Sequence, residues 1–249
     1  MIKFTPSFAA CAALILLGVG VSPLAHAAPV ALQDATATFS QTTFGGFPVS
    51  AAIDGILGGS NGWAIDPMEG TNQTAVFQTV SNVGFAGGTM LTFTMDQLFG
   101  SSTIGHFNLA VTTDTRSTYA DGLAAGGNVT ANWTILSPLS ATSSNGATMT
   151  TLGDKSILVS GALPSTDIYT VAADTTLTGI TGIRLVALTA PSLPSNGPGA
   201  LSTNGNFVLT EFQVDAVPAV PEPETYAMLL AGLGLIGFTA LRRKQNLAV

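Results

Sequence analysis

Gly205-Asn206-Phe207-Val208-Leu209-Thr210-Glu211-Phe212-Gln213-Val214 is the stretch on which the fold class turns. It is dense in β-branched and aromatic residues, and Asn and Gly turn formers lead into it, which predicts a late strand. Working back toward the N-terminus, segments of the same character recur at Gly182–Leu188, Ser156–Ser160, Val129–Leu136, Phe107–Thr112, Met90–Met95, Thr74–Val80 and Thr36–Gln41. Gly, Asn, Asp, Ser or Pro clusters bound them, as at Gly45-Gly46, Gly58–Gly62, Gly84–Gly88 and Asn196–Gly199. Between residues 28 and 217 no stretch keeps a helical period over 11 residues. Short strands at regular spacing predict an all-β sandwich or jelly roll. Residues 117–147 read as a long loop followed by one strand. The Ser-, Thr- and Ala-rich 137–150 reads as a flexible insertion or an edge.

Both termini are set apart from this domain. Lys3, an apolar run Phe8–Val21 and Ala25-His26-Ala27 form the three parts of a secretory signal peptide, predicted to span 1–27 with cleavage after Ala27. Sec-type export machinery and a signal peptidase are the partners that this implies. Cys11, the only cysteine, lies inside that segment, so the mature chain has no disulfide, thiol nucleophile or thiolate ligand. At the other end a Pro-rich linker (218–225) precedes an apolar run, Tyr226–Leu241, which reads as a short transmembrane helix. A basic tail (242–249) with Arg242, Arg243 and Lys244 follows and is expected to stay cytoplasmic. The domain, 28–217, is thereby placed outside the inner membrane, at least transiently anchored to it.

Charge narrows the partners further. Residues 28–217 hold twelve Asp and Glu against Arg116, Lys155 and Arg184, which leaves a net charge of −9. Such a domain has no electrostatic footprint for nucleic acid and is repelled by anionic headgroups. Neutral polysaccharide or a divalent cation suits it better.

The order Pro221-Glu222-Pro223, short apolar run, basic end resembles the PEP-CTERM sorting signal of Gram-negative bacteria. The resemblance implies that a membrane-embedded exosortase recognises Pro221, Glu222 and Pro223 and removes the tail during export. It also implies a cell-surface or extracellular destination beside exopolysaccharide. A second resemblance rests on Ala51-Ala52-Ile53-Asp54-Gly55, Gly62-Trp63-Ala64, Gly105–Leu109 and Gly205–Phe212. These pieces, in this order, are similar to the galactose-binding-like jelly roll of discoidin-type domains and some carbohydrate-binding modules. That likeness implies a structural calcium ion between the chain ends, with Asp54 and Glu211 as side-chain ligands and carbonyls of 55–60 completing the shell. Calcium takes 6–8 oxygens, which two carboxylates and a loop can supply. Trp63 is expected in the core.

Candidate sites are few. Tyr119 and Trp133 are the aromatic residues expected to present a platform to sugar rings. His106, the sole histidine of the mature chain, lies in a predicted strand and has no Gly-x-Ser-x-Gly elbow beside it. Asp66 and Glu69 form a carboxylate pair in a turn, where turn chemistry already accounts for Asp66. These features predict a non-catalytic matrix protein, with carbohydrate binding as one role and structural or adhesive protein contacts as the other.

Overall fold

The computed structural model describes residues 27–58, 60–219, 227–236 and 238. Its strands are β1 (Ala28–Pro29), β2 (Leu32–Ala37), β3 (Trp63–Ala64), β4 (Gln73–Val83), β5 (Thr89–Gln97), β6 (His106–Thr112) and β7 (Thr134–Ile135). After them come β8 (Pro138–Ser143), β9 (Thr148–Thr151), β10 (Ile157–Ser160), β11 (Asp167–Thr175), β12 (Ile180–Ala187), β13 (Val208–Leu209) and β14 (Glu211–Pro218). One sheet runs β1-β14-β5-β11-β8; the other runs β2-β4-β12-β6-β10-β9, with β7 added on β6. A third, two-stranded piece pairs β13 with β3. All pairings are antiparallel. The class is all-β, and the two larger sheets pack as a sandwich.

Alternation explains the packing. In β11 the inward residues Tyr169, Val171 and Ala173 are buried while their neighbours are half-exposed. Phe77 of β4 stacks on Phe212 of β14 at 5.1 Å, and Phe212 stacks on Phe93 of β5 at 6.0 Å. That trio joins the sheets through the middle of the core. Trp63 is fully buried as expected, with its indole N–H donating to the Phe39 carbonyl at 2.9 Å.

Several strands differ from expectation. The late segment splits at Thr210, because inward Phe207 and Leu209 are out of phase with inward Phe212 and Val214. Thr210 fills the break: its N–H and hydroxyl both donate to the Asp96 carbonyl, and its hydroxyl accepts the Leu98 N–H. The first long strand ends at Ala37 instead of Gln41, and a register shift between Gln33 and Thr36 puts Asp34 at φ +49°. Of 129–136 only Thr134–Ile135 pair as a strand; 129–133 is loop on the outer face of the second sheet, and Leu136 enters the main core. Residues 137–150 hold β8 and most of β9, the edge strands of the two different sheets, β8 on β11 and β9 on β10, and not an unstructured insertion.

The two chain ends of the body meet. Ala28 lies opposite Ala216, and the Ala219 N–H donates to the Gly88 carbonyl. The start of β14 is at the other end of the sandwich, about 25 Å away for eight residues of strand. Residues Ala25–Glu222 form one compact unit; a second holds the helical residues 227–236, which are exposed. Among the described residues no helix is long and apolar enough to cross a membrane, and most of the ends of the predicted span 226–241 lie outside them.

Candidate functional site

The pole opposite the chain ends gathers five loops. Gln41 N–H donates to Ala64, Ala64 pairs Val208, Gly55 N–H reaches Glu211, and Leu98 N–H reaches Thr210. These bonds fasten loops 41–47, 54–62, 65–72, 98–103 and 196–206 around the start of β14. Phe44 stands at the tip of the first with 86% of its surface exposed and φ +55°. A bulky side chain in the left-handed region is uncommon and costs energy, as does leaving an aromatic ring in water. Ile56, Leu57, Met68 and Leu98 are exposed on the neighbouring loops. Phe47, Ala64 and Val208, with Phe99 against them, make a small separate core beneath.

Polar groups share this pole. The Asn204 amide donates to Asp66 Oδ1 at 3.0 Å and to Glu69 Oε1 at 2.7 Å. Burial pushes the Glu69 carboxyl up, and the adjoining Asp66 carboxyl adds to this. Both carboxyls thus accept from the one Asn204 amide nitrogen.

Asp54 caps the 3-10 turn Val49–Ile53, and Glu211 opens β14. The structure brings them together: Glu211 Oε2 accepts the Gly55 N–H at 3.0 Å, and Asp54 holds the loop by accepting from the Ile56 N–H and the Asn61 amide. Glu211 is 4% exposed. Desolvation, with Asp54 and Asp96 nearby, pushes its carboxyl up to about 7. Buried carboxylate oxygens with no cation against them suit a hard ion. Among the described residues no three Asp, Glu, His or Cys converge, so an ion there would draw on two carboxylates and loop carbonyls.

The other sequence candidates fall elsewhere. Tyr119 is 3% exposed, its hydroxyl donating to Thr181 Oγ1 at 3.2 Å, so it offers no platform to a sugar ring. Trp133 packs edge-on against Tyr119 at 5.5 Å, and the Arg184 guanidinium lies over its ring at 5.3 Å. Both aromatics pin loop 113–133 to the second sheet, because outward-facing Val76 needs a cover. His106 sits between the Thr189 carbonyl (3.3 Å) and Ser156 Oγ (2.9 Å). Sequence spacing gave no sign of that Ser–His contact. Ser156 is fully buried and its hydroxyl donates to Asp154 at 2.6 Å, a bond that also holds the Asp154 carboxyl below its ordinary range. The Ser156 hydroxyl thus lies between Asp154 and the imidazole, whereas in a Ser-His-Asp triad the imidazole lies between the acid and the hydroxyl. Pro221, Glu222, Pro223, Arg242, Arg243 and Lys244 lie outside the described residues.

Residues 219–244 match the family model described as the PEP-CTERM protein-sorting motif. The chain is therefore exported and sorted by an exosortase to the surface, by way of a membrane-anchored precursor. No curated protein matches it. Among solved structures it is similar to the Streptococcus pneumoniae beta-galactosidase BgaA, with 11% identity, a TM-score of 0.43, and coverage of 74% of this chain and 89% of that one.

Proposed function

We propose that the protein is a non-catalytic component of the extracellular polysaccharide matrix that holds glycan at the loop pole. One observation carries this reading: Phe44, an aromatic ring almost wholly in solvent, among the loops around the start of β14. An aromatic face stacks on the C–H face of a pyranose, while amides and carboxylates beside it take the hydroxyls. Asn204, Asp66 and Asn61 are such groups on adjoining loops. An acidic body disfavours anionic lipid and leaves uncharged sugar as the compatible surface.

The test is binding of the processed protein to the exopolysaccharide of the producing cell. Saturable binding that free sugar competes away, and that Phe44→Ala weakens at least about tenfold with unchanged melting temperature, supports the reading; a lost stacking contact is worth about that much. Equal binding by the variant rejects it. The aliphatic neighbours Ile56, Leu57, Met68 and Leu98 favour a second reading, adhesion to protein partners through an apolar patch. Concentration-dependent self-association in sedimentation, abolished by Ile56→Ser with Leu57→Ser, would support that one.

Calcium belongs to the same proposal. Asp54 and Glu211 would hold the ion, which would supply positive charge to a buried carboxylate and tie loop 54–61 to β14. Calcium then raises the melting temperature and chelator lowers it.

A further inference from the structure

A cleft of 390 Å³ opens on the outer face of the second sheet, where loop 113–133 folds back over β2 and β4. It is remote from the loop pole, being floored by Gln78 in the middle of β4. Asp34 forms one wall; Arg116–Asp121 and Asn128 form the other. Two non-glycine residues of its lining, Asp34 (φ +49°) and Ala120 (φ +57°), hold left-handed backbone. Such conformations persist only where surrounding contacts impose them, and they gather at binding sites.

The hydrogen-bonding inventory of the cleft is one-sided. Its donors are largely spent inside the protein. Arg116 turns its guanidinium onto the Thr79 carbonyl and hydroxyl and onto Asn82 Oδ1, at 2.6 to 3.0 Å. The Gln78 amide donates to the Arg116 and Tyr119 carbonyls, and the Asn128 amide to Thr118. The Tyr119 hydroxyl is given to Thr181. What remains facing solvent is acceptor capacity. The exposed Asp34 carboxylate receives no hydrogen bond from any described residue. Asp121 accepts one backbone N–H on each oxygen, from Leu123 and Asn128, and keeps lone pairs free. Hydroxyls of Ser117 and Thr118 line the rim.

We propose that this cleft binds a protonated hexosamine, with its ammonium group against Asp34 and Asp121 and its ring hydroxyls on the Ser117–Thr118 rim. Two carboxylates against one committed guanidinium, in a domain of net charge −9, favour a cation that brings its own donors. The volume is at the small end of ligand pockets, about 300–1,000 Å³, and suits one or two sugar rings. The hydroxyl rim favours a polyol over a bare alkylamine. The inference shares with the proposed function only the assumption that the ligand is a saccharide.

Titration of the processed protein with a fully deacetylated glucosamine trimer, and with its N-acetylated counterpart, tests it. Saturable binding of the amino form is expected, weakened at least about tenfold by its N-acetylation, by Asp34→Asn and by raising salt to 1 M. Asn tolerates left-handed backbone as well as Asp does, so that variant keeps the loop. Phe44→Ala should leave this binding unchanged, which separates its failure from failure of the site at the loop pole. Equal affinity for the N-acetylated trimer, full binding by Asp34→Asn, or no binding at millimolar trimer overturns the assignment. So does putrescine binding as tightly as the sugar, because a general ammonium site would then suffice.

Discussion

At the scale of single residues, Glu211 carries the sharpest consequence. Its carboxyl is buried at the head of β14 and pushed up to about 7, against an ordinary value near 4.5. The native state thus binds a proton more tightly than the unfolded chain does between those two values. Stability falls as pH rises through that window when no cation is present. Below about 4.5 the contribution of this group is fully present, and above about 7 it is lost. Melting of calcium-free protein should therefore drop between pH 5 and 7, and Glu211→Gln should flatten that part of the profile. A profile that rises with pH there, with the variant tracking the wild type, would contradict it. Added calcium should reverse the slope at neutral pH, since the ion competes with the proton for the same oxygens. That Glu211 reaches the turn that follows Asp54 was visible in the sequence only through a family resemblance, because 156 residues of chain separate the bonded Gly55 and Glu211. Phe44 was missed for another reason. A Phe ahead of Gly-Gly reads as an ordinary turn residue, and only the folded loop shows that no strand buries it.

At the scale of elements, loop 113–133 is a lid built on one close approach. A Cβ on Gly182 of β12 would overlap the Tyr119 hydroxyl and come within 2.7 Å of its Cζ. Glycine there leaves room for the hydroxyl end of the tyrosine ring, which reaches Thr181. Gly182→Ala should expel that ring, costing about 1–3 kcal/mol by overpacking and a lost buried contact. Amide exchange over 113–133 should quicken while the β4–β12 ladder stays protected. Equal exchange throughout the loop would remove Tyr119 from its role as fastener. The sequence marked β4, β5, β6, β10 and β12 because each carries branched or aromatic residues between clear turn signals. It hid β11, although that strand pairs β5 over nine residues, since Thr and Ala dilute Tyr169 and Val171. It overstated 129–136, where Val129, Ala131 and Trp133 cover Val76 and Tyr119 in place of pairing. The cleft could not be read at all, since it joins residues 34, 78, 116–121 and 128.

At the scale of the molecule, topology keeps folding and sorting apart. The body closes when β14, its last strand, enters between β1 and β5 and delivers Phe212, Val214 and Ala216 to the core. The final backbone bond of that closure is Ala219 N–H to Gly88, two residues ahead of Pro221. Every residue that the core needs is therefore in place before the sorting motif begins, and both ends of the body issue from the same end of the sheet. Replacing Pro221, Glu222 and Pro223 together by Ala should leave the full-length precursor uncut in the membrane fraction. The same variant should melt within about 2 °C of the wild-type precursor, since Ala216 is the last residue that the described core draws on and substitutions that touch no core contact change stability by about 0.5 kcal/mol or less. Immunoblots of membrane and surface fractions read the first outcome and calorimetry the second. Normal release of the triple variant would mean that recognition rests on the apolar run and basic tail of residues 226–244. A large loss of melting temperature would mean that the tail contributes to the body, and the separation drawn from β14 would fail.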